Sequence, residues 1–421
     1  MPRPLVVPLA GTLAAGGSPA GYTGTEGAGE GRSPHVFRAP RRILTGRGAS
    51  DHVGPLAAEA DLNAVLLVTD PNVRASGAAD RVRRSLAAAG IASLIYDGVT
   101  SEPVLEFVDA ALAALRDGRC DGVVAVGGGS AIDTGKAVAA LATNDGALTD
   151  YQGVDRFTQP PLPLIAVPTT AGTGSEVTRV TVVTDQQRDV KMMLMAEALL
   201  PHAAVDDPLL TITAPPGPTA AAGIDALTHA IEAYVSRRAQ PLTDVLALDA
   251  IGAIAGSLPT AWKDGQDLEA RDRMMWAQLQ AGLAFSNSSV ALVHGMARPL
   301  GAHFHVPHGL ANAMLLPTVM RFSLPGAPVR YAAIARALGV ATEPSESDAS
   351  LAERGADFIE SFVRSLNIPT LAGYGVDEPH FRRVLPQMAE DALASGSPAN
   401  NPRAAAAEQI CTLYERAFTG A

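Results

Sequence analysis

The chain has 421 residues, 47% hydrophobic and 18% charged, which supplies ample material for buried cores and excludes wholesale disorder. Its 32 basic and 43 acidic side chains leave a net charge of −11, which argues against a nucleic-acid partner, and no run of 18 or more uncharged apolar residues reads as a membrane span. Only two cysteines occur, Cys120 and Cys411, so a disulfide framework or thiolate metal site is excluded and a reducing, cytoplasmic compartment fits.

Residues 1–34 are rich in Gly, Ala, Pro, Ser and Thr and show no helical or strand period, so they read as a disordered tail. The apolar piece from Leu5 to Ala15 follows Arg3, but Pro4, Pro8 and interspersed glycines weaken its likeness to a secretory signal. From Val36 the pattern becomes regular. Ala64–Thr69 reads as a buried strand ending at Asp70, and Ala78–Ala89 as a helix ending at Gly90. Ser93–Tyr96 is another strand, and Val104–Arg116 a helix after Pro103. Gly122–Val126 is a strand that runs into Gly127-Gly128-Gly129-Ser130 and a helix through Leu141; Leu164–Pro168 is a further strand. Continuous apolar strands alternating with helices predict a parallel sheet covered on both faces. Past Pro215-Pro216-Gly217 the texture becomes helical: 218–235, 243–258, 268–285, 351–366 and 402–418. The expected organisation is the tail, an α/β domain over 35–213 and an all-α domain over 214–421.

The segment 123–136, VVAVGGGSAIDTGK, is a strand, a glycine turn and a helix start. Glycines let the backbone approach a phosphate, and the free N–H groups of the helix N-terminus then face the anion. Ser130 and Asp133 resemble a capping box with Asp in place of Glu or Gln. Asp70, at a strand end, is placed to accept from a ribose 2′-OH and to repel a 2′-phosphate, favouring NAD over NADP. It precedes the glycines by about 60 positions, whereas the ordinary dinucleotide fingerprint puts the acid about 20 after them. A second small-residue loop, 168–178 (PTTAGTGSEVT), offers hydroxyl and backbone donors for phosphate, ribose or nicotinamide amide.

Five of the nine histidines fall between 229 and 308. Asp225 and His229 stand four apart in GIDALTHAIEAY, one turn apart on one helix face. With His294 and His308 they supply an N3O set suited to Fe2+ or Zn2+, spread over two helical segments and a loop. His303 and His305 compete for the same role, and spacing does not decide between them.

With these motifs in hand, the chain resembles the iron-containing (group III) alcohol dehydrogenases, including lactaldehyde and 1,3-propanediol oxidoreductases. The resemblance rests on GGGSAIDTGK, PTTAGTGSEVT, DDPLLT, GIDALTHAIEAYVS, LVHGMARPLG and VPHGLANAMLLP, in family order over roughly 36–420. It implies a dehydroquinate synthase-like fold: an N-terminal dinucleotide-binding α/β domain, an all-α C-terminal domain and an active site between them. It implies Asp225, His229, His294 and His308 as metal ligands. It further implies NAD(P) contacts from Asp70, Gly127, Gly128, Gly129, Ser130, Asp133, Thr169, Thr170, Thr173, Ser175 and Lys191. Two departures stand out. Where many members carry a histidine four residues after the third ligand, near the nicotinamide, this chain has Arg298, which does not titrate near neutrality. Where many have Asn-Pro, it has Glu102-Pro103.

The expected function is hydride transfer between NAD(H) and a small alcohol or aldehyde, with Fe2+ or alternatively Zn2+, in a homodimer without membrane or nucleic-acid partners. Arg298 is a candidate contact for an anionic substrate end. The rivals are a non-redox NAD- and metal-using enzyme of dehydroquinate synthase type and a metal-free NAD-binding sensor.

Overall fold

The computed structural model describes residues 34–188 and 190–420. Apart from Pro34, the expected tail lies outside the described residues. Among the described residues nine strands form two sheets. The larger contains β1 (Arg42–Thr45), β2 (Ala64–Val68), β3 (Ala92–Tyr96), β4 (Gly122–Gly127), β6 (Leu164–Pro168) and β9 (Ala203–Asp206), in the order β1-β9-β6-β4-β2-β3 and parallel throughout. Every residue of β4, β6 and β9 is buried, which is why these strands read as unbroken apolar runs; the edge strands β1 and β3 are half exposed. Helices α1 (Val53–Glu59), α2 (Pro71–Ala75), α3 (Ala78–Ala88), α4 (Leu105–Asp117) and α5 (Gly129–Leu141) belong to this half, and two apolar clusters cover the two sheet faces.

The strand order places the cofactor motifs. From β2 the chain crosses to β3 on one side, then returns to β4 on the other. Loops leaving β2 and β4 therefore diverge, opening a crevice at the carboxyl ends of these strands, where open α/β sheets bind ligands. Asp70 follows β2, Gly127-Gly128-Gly129 follow β4, and the 168–178 loop follows the adjacent β6.

The smaller sheet joins β5 (Gly153–Val154) to the antiparallel hairpin β7 (Val180–Asp185) and β8 (Val190–Met195). The buried Lys136 ties α5 to this hairpin through Thr178 Oγ1 (2.8 Å) and the Val180 carbonyl (2.7 Å).

The strands end at Asp206, and from Pro216 the chain is helical: α6 (Pro216–Val235), α7 (Pro241–Lys263), α8 (Leu268–Ser288), α9 (Leu292–Phe304), α10 (His308–Ser323), α11 (Pro328–Ala337), α12 (Asp348–Ser365), α13 (Leu371–Tyr374), α14 (Glu378–Ala394) and α15 (Ala407–Thr419). By length and mean hydropathy α7 could cross a membrane, yet it carries Asp244 and Asp249 and packs between α6 and α8 as a core helix. The helical half meets the α/β half along α8. There Gln278 accepts from the Gly174 amide (3.1 Å) and donates to the buried carboxylates of Glu176 (3.0 Å) and Asp206 (3.1 Å). One turn on, Gly282 faces Gly174 so closely that a Cβ on it would lie 2.9 Å from the Gly174 Cα.

Candidate metal and cofactor site

The glycine turn is built on Gly127, whose φ of +157° and close neighbours leave no room for a side chain: a Cβ would sit 2.7 Å from that of Ala131 and 3.4 Å from Asp70 Oδ2. The turn feeds α5 at Gly129, with Gly128 as N-cap. The expected capping box is absent. The helix starts one residue before Ser130, so its N-cap is Gly128, which has no side chain to cap with, and Asp133 accepts instead from Ser175 Oγ and the Val182 amide (2.9 Å). The N–H groups of the first turn are thus left without a side-chain acceptor, the arrangement that suits an anion.

Asp70 has two tasks. Its Oδ1 caps α2 through Asn72 N (2.9 Å) and Val73 N (3.0 Å), while Oδ2 faces the glycine turn. The ordinary turn role and an open carboxylate oxygen coexist. Thr170 lies beside Gly128, and Thr173 beside Gly129. The Thr170 hydroxyl is buried without a partner among the described residues. Thr169 donates its amide to the Gly127 carbonyl (3.0 Å), and Ser130 sits in the first turn of α5. Asp133 and Ser175 bind each other beneath the turn. Lys191 lies apart, paired with Glu102 and next to Gly301.

Asp225, His229, His294 and His308 converge: each offers one ligand atom, and all four atoms lie within 4.8 Å of one another. His303 and His305 are outside the group; His303 reaches toward Asp391 at 3.9 Å, and His305 ends α9 in left-handed backbone. Three helices supply the set, not two helices and a loop, because His308 opens α10 after Pro307. Gly309 permits that approach, since a Cβ there would lie 2.9 Å from the Ala221 carbonyl of α6. The His229 ring stacks between Phe285 and His294, with centroids 4.0 and 4.4 Å away.

Two supporting residues were not singled out from the sequence. Glu232, buried on α6, accepts from the Ala291 amide (2.8 Å), the Val293 amide (2.6 Å) and His294 Nδ1 (2.7 Å). That contact makes Nδ1 the donor and leaves His294 Nε2 bare, 3.6 Å from Asp225 Oδ1 and without a hydrogen-bond partner among the described residues. Asn312 donates to Asp225 Oδ1 (2.7 Å) and lies 3.2 Å from His308 Nε2. An acidic residue inside the apolar run HAIEAYV was the available signal for Glu232, because a buried carboxylate needs partners.

Burial alone would raise Asp225, but the surrounding imidazoles outweigh it and hold its carboxyl far below the usual range. Burial drives His229 down to about 3 and also lowers His308. Burial opposes charge on His294 too, yet the neighbouring Asp225 and Glu232 carboxylates push it up to about 9. The group therefore attracts one positive charge into its centre, and a metal ion would enter by displacing that proton. Three imidazoles, one carboxylate and a bare buried nitrogen fit a divalent transition metal.

Known proteins match the chain over most of its length. Residues 40–208 match the family described as iron-containing alcohol dehydrogenase, and 219–418 its C-terminal counterpart. The chain is 43% identical to the 1,3-propanediol dehydrogenase of Klebsiella pneumoniae over 84% of its length and 91% of that protein's. It is 36% identical to the NAD-dependent methanol dehydrogenase of Bacillus methanolicus, covering 91% of this chain and 99% of that one. A crystal structure of 1,3-propanediol oxidoreductase superposes with a TM-score of 0.89 at 40% identity, covering 92% of this chain and all of that one. This chain belongs to the iron-containing alcohol dehydrogenase family of oxidoreductases.

Proposed function

We propose that the chain interconverts a small alcohol and its aldehyde with NAD(H), with a divalent metal at Asp225, His229, His294 and His308. The supporting observation is a single loop that reaches both motifs. Thr170 and Thr173 of the 168–178 loop lie against the glycine turn, while Gly172 between them packs so closely on α6, the helix that carries Asp225 and His229, that a Cβ on it would lie 2.6 Å from the Ala222 carbonyl. Cofactor and metal would thus share one wall. The substrates in the names of the relatives, 1,3-propanediol and methanol, support a small alcohol.

When bound, the cation supplies Lewis-acid polarisation of the substrate oxygen, and the nicotinamide supplies the hydride acceptor. The chain supplies alignment. Asp225 contributes the one formal negative charge of the ligand set and is held in place by Asn312. Glu232 fixes the His294 ring. The turn at Gly127, Gly128, Gly129 and Ser130 receives the cofactor pyrophosphate, Thr169, Thr170 and Thr173 flank it, and Asp70 takes the ribose. Asp133 and Ser175 brace the turn from beneath, and Lys191, paired with Glu102 and near enough to His308 to act on it electrostatically, is the remaining cofactor contact of this reading. Fe2+ is the metal of this reading, with Zn2+ accommodated by the same donors. The enzyme would work as a cytoplasmic homodimer without membrane or nucleic-acid partners, in keeping with the free thiols Cys120 and Cys411 and the net negative charge.

The direct test is metal analysis of the purified protein with NADH-oxidation assays over small aldehydes. The expected result is stoichiometric iron or zinc and aldehyde-dependent NADH consumption. Bound metal with no net NADH consumption would move the reading to a cyclase-like, non-redox enzyme; NAD binding without metal would move it to a sensor. Cofactor choice gives a second check. Asp70→Asn keeps the α2 cap acceptor and removes the charge, so kcat/KM with NADPH relative to NADH should rise at least about tenfold, equal to about 1.4 kcal/mol. An unmoved ratio would remove Asp70 from the ribose site.

A further inference from the structure

We infer that Arg298 is a specificity-determining residue that holds an anionic group on the far end of the substrate, so that the favoured substrates are short aldehydes or alcohols bearing a carboxylate, phosphonate or sulfonate. The inference rests on the dehydrogenase reading above.

His294, Arg298 and Gly301 follow one another at i, i+4 and i+7 on α9, so they form one stripe along the helix. The stripe starts in the metal-ligand group and runs against β8. Arg298 Nη2 lies 3.9 Å from Met193 Sδ, and a Cβ on Gly301 would sit 2.7 Å from Lys191 Nζ. Lys191 and Met193 are two apart on a strand and therefore share a face. Two cations thus stand in one seam. Lys191 is neutralised by Glu102. Arg298 has no such partner among the described residues.

The guanidinium presents five donors in a planar fork. Its contacts are the Ser395 carbonyl at 3.5 Å, at the limit of a hydrogen bond, and the Met193 thioether. Among the described residues no carboxylate makes an ion pair with it. The acid that acts on it most is Glu232, whose two oxygens already serve Ala291, Val293 and His294. Burial meanwhile works against the Arg298 charge. A largely buried cation without a charged partner is costly, and the fork matches an oxyanion bidentately.

Two bland roles fit less well. As a cation near the C-terminal end of α14, where Ser395 is the cap, Arg298 would contribute roughly 0.3–1 kcal/mol, less than its desolvation costs. As a clamp on the cofactor pyrophosphate it would need to reach the glycine turn, whose walls are Asp70, Thr170 and Thr173, whereas its own neighbours are Met193 and Ser395. Along the helix, Arg298 stands about 6 Å past His294, at about 1.5 Å per residue. A chain of a few carbons could span from the reacting carbonyl to the fork.

The test compares 4-oxobutanoate with its uncharged isostere 4-methylpentanal on the holoenzyme. The unaltered enzyme should favour the anion in kcat/KM by about 30-fold or more, equal to about 2 kcal/mol. Arg298→Gln should erase most of that ratio, and Arg298→Lys, which keeps the charge and loses the fork, should fall between. A readout free of turnover is 4-hydroxybutanoate binding to the enzyme–NADH complex, where no hydride can move; Arg298→Gln should weaken it by a similar factor while NADH affinity stays within about twofold. Equal use of the two aldehydes, or a fall in both together, overturns the assignment. So does a variant that binds NADH poorly with the ratio intact, which would give the arginine to the cofactor. An enzyme that reduces neither aldehyde and holds no metal overturns the dehydrogenase reading itself, and this inference with it.

Discussion

His294→Ala should strip most of the metal and lower kcat by at least about 10³-fold, while NADH still binds. The magnitude follows from losing a Lewis acid worth several kcal/mol at about 1.4 kcal/mol per tenfold. The specificity follows from placement. His294 offers the bare nitrogen Nε2 to the ligand group from α9, whereas the cofactor turn lies on the other half of the molecule after β4. Truncation leaves the rest of Glu232's contacts, to Ala291 and Val293, in place, so the fold should persist. Elemental analysis, stopped-flow hydride transfer and NADH fluorescence titration read the three quantities separately. His303→Ala, outside the group, serves as the control that keeps its metal. A His294→Ala protein with full metal and full turnover would end the ligand assignment.

The second large effect is expected at Glu232, which is not itself in the ligand group but holds one of its members. Three donors converge on its two oxygens: Val293 N on Oε1, and Ala291 N with His294 Nδ1 on Oε2. Glutamine has one acceptor oxygen, so in either orientation its NH2 group confronts at least one buried donor. Glu232→Gln should therefore release the His294 ring and weaken metal binding by about 10–100-fold, the usual cost of losing a partner that orients a ligand. Competition with a chelator of known affinity measures it. A change below about threefold would mean that α9 alone aims the imidazole.

The parallel-sheet core was legible because β2, β4 and β6 are buried on both faces and their sequences are continuous apolar runs. The hairpin β7–β8 was not, because its residues alternate between buried and half-buried, and β1 is a short, half-exposed edge strand. The Asp225–His229 pair could be placed on one helix face by its spacing alone. Choosing His308 over His303 and His305 needed the crossing of α10 over α6, a tertiary fact that local spacing does not carry. Ser130-x-x-Asp133 had the form of a capping box, but the helix begins earlier, at Gly129, so Ser130 is not the N-cap and Asp133 serves Ser175 and Val182 instead. For Arg298 the sequence located the residue one turn past His294, while its lack of an ion-pairing carboxylate among the described residues emerged only from packing.

Gly174 and Gly282 act as a mechanical stop. Where they meet, the loop of the cofactor half rests on α8 of the metal-binding half, main chain against main chain, and a Cβ on Gly174 would come within 2.6 Å of the Gly282 Cα. A side chain in such a seam can rotate aside; a backbone atom cannot. The clearance between the halves is thus set by atomic radii, with no rotamer freedom to blur it. Transfer between two carbons tolerates little slack, since reacting atoms must come to about 3–3.5 Å. A methyl group at either glycine would be a shim in a calibrated gap, widening it where Thr173 and Ser175 flank Gly174 on the chain.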